Sequence, residues 1–252
     1  MKLRTVVRSL ALICFGGVFV LSGYVLLSYY GASRAQEKSF DELEQMVNAA
    51  EVERAEDDDR LGYSMLHTKN PDFFGWVKIE GTELSYPVMY TPDEPEYYLN
   101  RDFDGNESAS GVPFLDGDCT EQGGNYLIHS HNMKSGTMFA PLLAYEKQEY
   151  CEAHPIICFD TLAGNGQYEV IAAFYSEVYE VSAQDVFRYY RYTDLSSPKR
   201  FREYVEQVKE AALYDTGRVA QYGDQLLTLS TCSYHTEGGR FVVVARKLSE
   251  VQ

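Results

Sequence analysis

Three residues far apart in the chain, His131, Cys232 and Arg240, carry side chains that together could perform acyl transfer. An ionised thiol is a strong nucleophile, and a guanidinium stays charged at any working pH. An imidazole with an ordinary pKa of about 6.5 takes up and releases protons near neutrality. Nucleophile, proton carrier and oxyanion stabiliser are the roles this chemistry requires. Each residue alone has a plainer reading: a Cys in apolar surroundings is usually inert, and a lone His or Arg is usually structural or solvated. The chemistry therefore depends on the fold bringing the three together.

Local patterns say how it would. Cys232 ends the alternating run QLLTLSTCSY, in which Leu227 and Leu229 would face the core and the thiol would emerge at the strand's end, beside a loop. The polar, Gly-rich stretch SYHTEGG suits a hairpin turn, so the strand RFVVVARKL would return antiparallel and bring Arg240 beside Cys232. His131 follows the strand NYLIHS. His129 and His131 would share a strand face, as metal ligands do, but a zinc site needs a third protein ligand and supporting hydrogen bonds. A zinc-dependent surface hydrolase thus stays open as an alternative, as does an anchored binding module without catalysis. Asn132, Tyr234 and Glu237 are candidates for orienting the site or for solvating its turns. Cys119, Cys151 and Cys158 form no CxxC pair, which leaves a disulfide such as Cys151–Cys158 open.

The rest of the chain must supply the scaffold. Its 252 residues include 22 Lys+Arg against 38 Asp+Glu, a formal charge of −16 with no basic stripe, which argues against nucleic acid as a partner. With 45% apolar and 14% aromatic residues it does not have the composition of a disordered chain. Short apolar or alternating runs between turn residues predict strands at about 74–79, 84–90, 112–115, 125–130, 156–159, 168–179, 225–231 and 241–247, enough to close an all-β barrel. Between the sixth and seventh, Ser197 as N-cap, Pro198, the face Phe201, Val205, Val208 and Ala212, and Gly217 as a stop predict a helix. A shorter helix is expected near 140–147.

The N-terminus reads as a membrane anchor. Residues 9–30, SLALICFGGVFVLSGYVLLSYY, form an uncharged run that meets the roughly 20 residues needed to cross a bilayer, with Cys14 as apolar filler. Lys2, Arg4 and Arg8 precede it, which orients the N-terminus to the cytoplasm and the remainder outside, and Tyr24, Tyr29 and Tyr30 suit the outer headgroup level. The small-x-small string Ser33-Arg34-Ala35 offers a signal-peptide alternative, but signal h-regions are shorter, about 7–15 residues. An acid-rich segment follows, with Phe40, Leu43, Met46 and Val47 at helical spacing, Ser39 as a cap, and Asp57-Asp58-Asp59 near its end; it reads as a solvated helical spacer docked loosely on the domain.

The strings NYLIHSHNMKSGTMF, LLTLSTCSY and GGRFVVVARKL resemble the His, TLxTC and Arg motifs of the sortase family, class B. NPDFFGWVKIEGTELSYPVMY and YYLNRDFDGNESASGVPFLD are similar to that class's opening strands, and the long helix between the sixth and seventh strands also fits. Ser130 departs from the Gly more often found before the His. The resemblance implies a mainly β, eight-stranded sortase-type barrel divided as a cytoplasmic tail (1–8), transmembrane anchor (9–30), helical stalk (31–62) and catalytic domain (63–252). It further implies a cysteine transpeptidase that needs no metal or cofactor, with His131, Cys232 and Arg240 as catalytic residues. Such an enzyme would sit in a Gram-positive-type cell membrane. It would cleave an LPxTG-like or NPxTN-like sorting motif of a secreted protein after Thr, through a thioacyl intermediate. The acyl group would pass to an amine of a cell-wall precursor or a pilin lysine.

Overall fold

The computed structural model describes residues 2–53, 61–120 and 122–249. All eight expected strands occur: β1 (Phe73–Lys78), β2 (Ser85–Met89), β3 (Phe114–Leu115), β4 (Asn125–Ser130), β5 (Ile156–Thr161), β6 (Gln167–Glu177), β7 (Leu226–Cys232) and β8 (Gly239–Lys247). They close into a barrel in the order β1-β2-β3-β4-β7-β8-β6-β5. The β2–β3 and β4–β7 pairs are parallel and the other neighbours antiparallel. β3 is shorter than its apolar run because the Val112 N–H bonds to the Tyr98 carbonyl (3.0 Å) instead of joining the ladder.

Alternation along β7 does not translate into one wet face. Leu227 and Leu229 are buried as expected, but Thr228 and Ser230 are buried too. Thr228 is covered by α4 (Pro198–Ala211), which buries Phe201, Tyr204 and Val208, and Ser230 by the hydroxyl of Tyr189, ahead of that helix. The Tyr204 hydroxyl donates to Thr228 Oγ1 (2.7 Å), which donates onward to Asn125 Oδ1 (2.9 Å). Ser197 and Pro198 open α4 as expected, although Ser197 makes no side-chain cap bond. The helix ends before Gly217. Leu213 N–H instead bonds to the Ala173 carbonyl (2.9 Å), drawing the chain onto β6, and Gly217 occupies a later turn with φ +69°. The segment Ala140–Glu146 is a 3-10 helix and leads into α3 (Gln148–Ala153).

The N-terminal expectations are corrected in two respects. First, one helix, α1 (Lys2–Glu53), carries both the apolar run and the acidic segment, so Ser39 lies mid-helix and caps nothing. Second, the acidic segment is not a loose spacer. Phe40, Leu43 and Val47 are buried in the core, while Met46 is exposed. α2 (Leu61–Lys69) lies so close to α1 that a Cβ on Gly62 would stand 2.7 Å from the Val47 Cα. Asp57, Asp58 and Asp59 lie outside the described residues. In the apolar run, the most apolar 18-residue window has a mean hydropathy of 2.4 and no buried residue, so α1 is long and apolar enough to cross a membrane.

Candidate active site

The strand register places the three chemical residues together. Cys232 and Arg240 are directly opposed across β7 and β8, a relation that holds Cα atoms about 4.5–5.5 Å apart. The turn between them closes with Ser233 N–H on the Gly239 carbonyl (2.9 Å). On the other side of β7, the parallel pairing with β4 aligns Ser130 with Thr231, so the chain leaving β4 carries His131 into the cleft that Cys232 lines. Asn132 Nδ2 donates to the Cys232 carbonyl (2.9 Å) and ties the two strand ends. All three residues are half-buried and line one cleft of about 400 Å³ together with Leu99, Tyr189 and Ser230.

His131 Nε2 lies 2.8 Å from the Leu99 carbonyl oxygen. A carbonyl only accepts, so Nε2 carries the proton of that bond and Nδ1 is the nitrogen left to exchange one. Arg240 is held by its own turn, with Nη1 donating to the carbonyls of Gly238 (3.3 Å) and Gly239 (3.1 Å). Its charge reaches the cleft wall. Burial pushes the Tyr189 hydroxyl up to about 12, opposed by its bond with Ser230 Oγ (2.6 Å) and by the nearby Arg240 cation.

The other thiols of the barrel lie outside the cleft. All five cysteines are unpaired, including Cys151 and Cys158. Burial pushes the Cys119 thiol up to about 12, and it also raises those of Cys151 and Cys158. A thiol held protonated is a poor nucleophile. His129 and His131 line the same cleft but are used separately. His129 Nε2 meets Asp116 Oδ2 at 3.1 Å. Burial disfavours the Asp116 charge, yet the bonds from His129 and the Asp118 N–H outweigh it and hold the carboxyl below its ordinary value. Among the described residues no group of three potential ligands gathers to hold a metal, so the zinc alternative has no donor set there.

Of the other candidates, Asn132 bridges the strand ends, Tyr234 reaches the Asn132 carbonyl only at 3.5 Å, and Glu237 is exposed in the turn. Sequence reasoning missed Leu99, Asp116 and Tyr189. The Leu99 contribution is a backbone carbonyl, which no side-chain pattern reports, and Tyr189 arrives from a 3-10 turn (Tyr189–Arg191) in the β6–β7 connection.

Comparison with known proteins identifies the family. The sortase domain family matches residues 77–248. Sortase B of Staphylococcus aureus is 28% identical over 233 residues, covering 91% of each chain. Sortase B of Listeria monocytogenes is 28% identical over 256 residues, covering 99% of this chain and all of its own. The solved structure of a Staphylococcus aureus sortase B–substrate complex superposes with a TM-score of 0.76 at 27% identity, covering 87% of this chain and 99% of that one. The chain belongs to the sortase family, class B, and is a cysteine transpeptidase.

Proposed function

We propose that His131, Cys232 and Arg240 are the catalytic residues of a membrane-anchored transpeptidase that cleaves a sorting motif after Thr and passes the acyl group to a cell-surface amine. The observation that carries the reading is the cross-strand pairing of Cys232 with Arg240, next to His131 on the parallel neighbour, at the wall of one cleft.

The Cys232 thiolate attacks the carbonyl carbon of the motif's Thr, forming a C–S bond and moving the carbonyl electrons onto oxygen. Arg240 faces that oxyanion with fixed charge, and its Nε and Nη2 groups are not engaged by the turn carbonyls that hold Nη1. As the C–N bond breaks, His131 delivers a proton to the departing amine; it then takes one from the incoming amine, which attacks the thioester and restores the thiolate. The donor is a secreted protein bearing an LPxTG-like or NPxTN-like motif, and the acceptor is a cell-wall precursor or pilin lysine. Residues 9–30 of α1 cross the membrane once, with the N-terminus cytoplasmic and the catalytic domain (63–252) outside. Holding enzyme and secreted donor at one membrane face raises their effective concentration.

The test incubates the full chain in detergent micelles with a peptide library, with and without an added amine, and reads products and intact mass. The expected result is cleavage after Thr, an amide product when amine is present, and a thioacyl adduct on wild type that Cys232→Ala abolishes. Cleavage that survives Cys232→Ala, or hydrolysis with no aminolysis at any amine concentration, overturns the reading.

A further inference from the structure

Two contacts fix His131, and both lead back to α1. One is the Leu99 carbonyl that receives Nε2. Its segment is backed by Gly111, packed so closely that a Cβ there would stand 2.3 Å from the Leu99 oxygen. The Gly111 carbonyl accepts Gln36 Nε2 (2.6 Å), and the Gln36 Oε1 accepts the Ser108 hydroxyl. The other contact is the loop after His131, folded back so that Phe139 N–H bonds to the His131 carbonyl (2.9 Å) and Asn132 bridges Met138. Met138 is buried with φ +58°, a conformation that costs a non-glycine residue energy and needs outside support. That support is the Met138 N–H donating to the Tyr86 hydroxyl (3.0 Å), which donates its own proton to Glu37 Oε2 (3.2 Å). In the same loop Ser135 accepts from the buried Ser33 hydroxyl (3.1 Å).

We propose that Ser33, Gln36 and Glu37, on the first turns of α1 past its apolar run, are positioning residues for His131. The membrane-proximal helix thereby becomes part of the active site's support, an inference that rests on His131 being the proton carrier. The three side chains sit on one face of α1, in register with the buried Phe40, so docking the helix makes all of these bonds together. A misplacement of about 1 Å in a reacting group costs on the order of 10²-fold in rate, so sub-ångström support is enough to matter.

Glu37 adds a pH signature. Burial raises its pKa from 4.5 to about 7; the Tyr86 bond opposes this, and Asp41 and Glu83 add to it. Arg34, Lys78, Glu44 and Glu80 line the same cleft between α1 and the barrel. Because the folded-state pKa is the higher one, the folded protein holds a proton that the unfolded chain has lost. The stabilising contribution is full below about 4.5 and is lost as pH rises through about 7.

The test uses the full chain in micelles with the peptide selected by the library assay. Ser33→Ala combined with Gln36→Ala is expected to lower kcat tenfold or more with KM within twofold. Val47→Ala, on the same helix but packed against α2, is expected to lower the melting temperature while leaving kcat unchanged. Glu37→Gln, which keeps an acceptor for Tyr86 without charge, should hold kcat and lessen the fall in melting temperature expected of wild type between pH 4.5 and 7.5; Glu37→Ala should lose kcat. Unchanged kcat in the double variant or in Glu37→Ala, or an equal kcat loss in Val47→Ala, overturns the proposal. His131→Ala separates the two readings. Turnover surviving that change retires the assignment of His131, whereas turnover abolished there but untouched by the α1 variants retires only the positioning role.

Discussion

Arg240 combines a positional constraint with a chemical one. Its Cα is fixed opposite Cys232, and the turn carbonyls of Gly238 and Gly239 hold one end of its guanidinium. Arg240→Ala removes the proposed oxyanion partner and is expected to lower kcat by about 10²–10³-fold with a smaller change in KM. Arg240→Lys keeps the charge but lacks the planar fork that can bond the turn and the substrate at once, so steady-state kinetics should place it well below wild type. Ser130 makes a contrasting case beside His131. Its hydroxyl is buried and has no hydrogen-bond partner among the described residues, while its carbonyl accepts Thr231 Oγ1 (2.9 Å). Ser130→Ala removes the unpaired group and keeps the backbone bond, so thermal melts should show stability unchanged or raised by about 1 kcal/mol. A loss of more than that would mean the hydroxyl has a partner.

At the level of elements, one donor chain ties the outer helix to the site's scaffold. Thr228 Oγ1 spends its only proton on Asn125 Oδ1, so Tyr204 must donate to Thr228, and Asn125 Nδ2 completes the chain on the Tyr192 carbonyl (2.8 Å). Tyr204→Phe deletes the first donor while keeping the ring, at a cost of about 1 kcal/mol. Calorimetry should read this as a fall in melting temperature of about 2–4 °C, with kcat retained. No change in melting temperature would show that the bond adds nothing over water. This chain also marks where sequence reading stopped. The strands were legible because turn residues punctuate apolar runs, and the opposition of Cys232 and Arg240 followed from the polar turn between two such runs. The burial of Thr228 and Ser230 was not, because Tyr204 of α4 and Tyr189 of the preceding turn cover them from outside and impose no periodicity on the strand beneath. The Leu99 carbonyl was invisible for a simpler reason: any residue supplies one. The end of α4 was misread because a tertiary bond from Leu213 to Ala173, not a glycine, draws the chain out of the helix.

For the whole molecule, the continuity of α1 (Lys2–Glu53) sets the distance between the barrel and the apolar run proposed as the anchor. The apolar run ends at Tyr30 and the first buried contact with the barrel is Ser33, a rise of about 4.5 Å at 1.5 Å per residue. With Phe40, Leu43 and Val47 also buried, little free helix remains to lift the domain, so the proposed anchor would hold the barrel at the membrane surface. The proposed orientation follows from the cluster Lys2, Arg4 and Arg8 directly before the run, against Arg34 and Lys38 after it. The free thiols report on both features. A membrane-impermeant maleimide added to intact cells carrying the full chain should modify Cys232, which is half-buried at the cleft wall. Half-buried Cys158, whose thiol burial raises, should react more slowly. Buried Cys119 and Cys151 should react only after denaturation, and Cys14, inside the apolar run, only after the membrane is dissolved. Peptide mapping by mass spectrometry assigns each adduct. Protection of Cys232 in intact cells, lifted by permeabilisation, would invert the orientation and put the catalytic cleft on the side of the membrane away from its proposed acceptor.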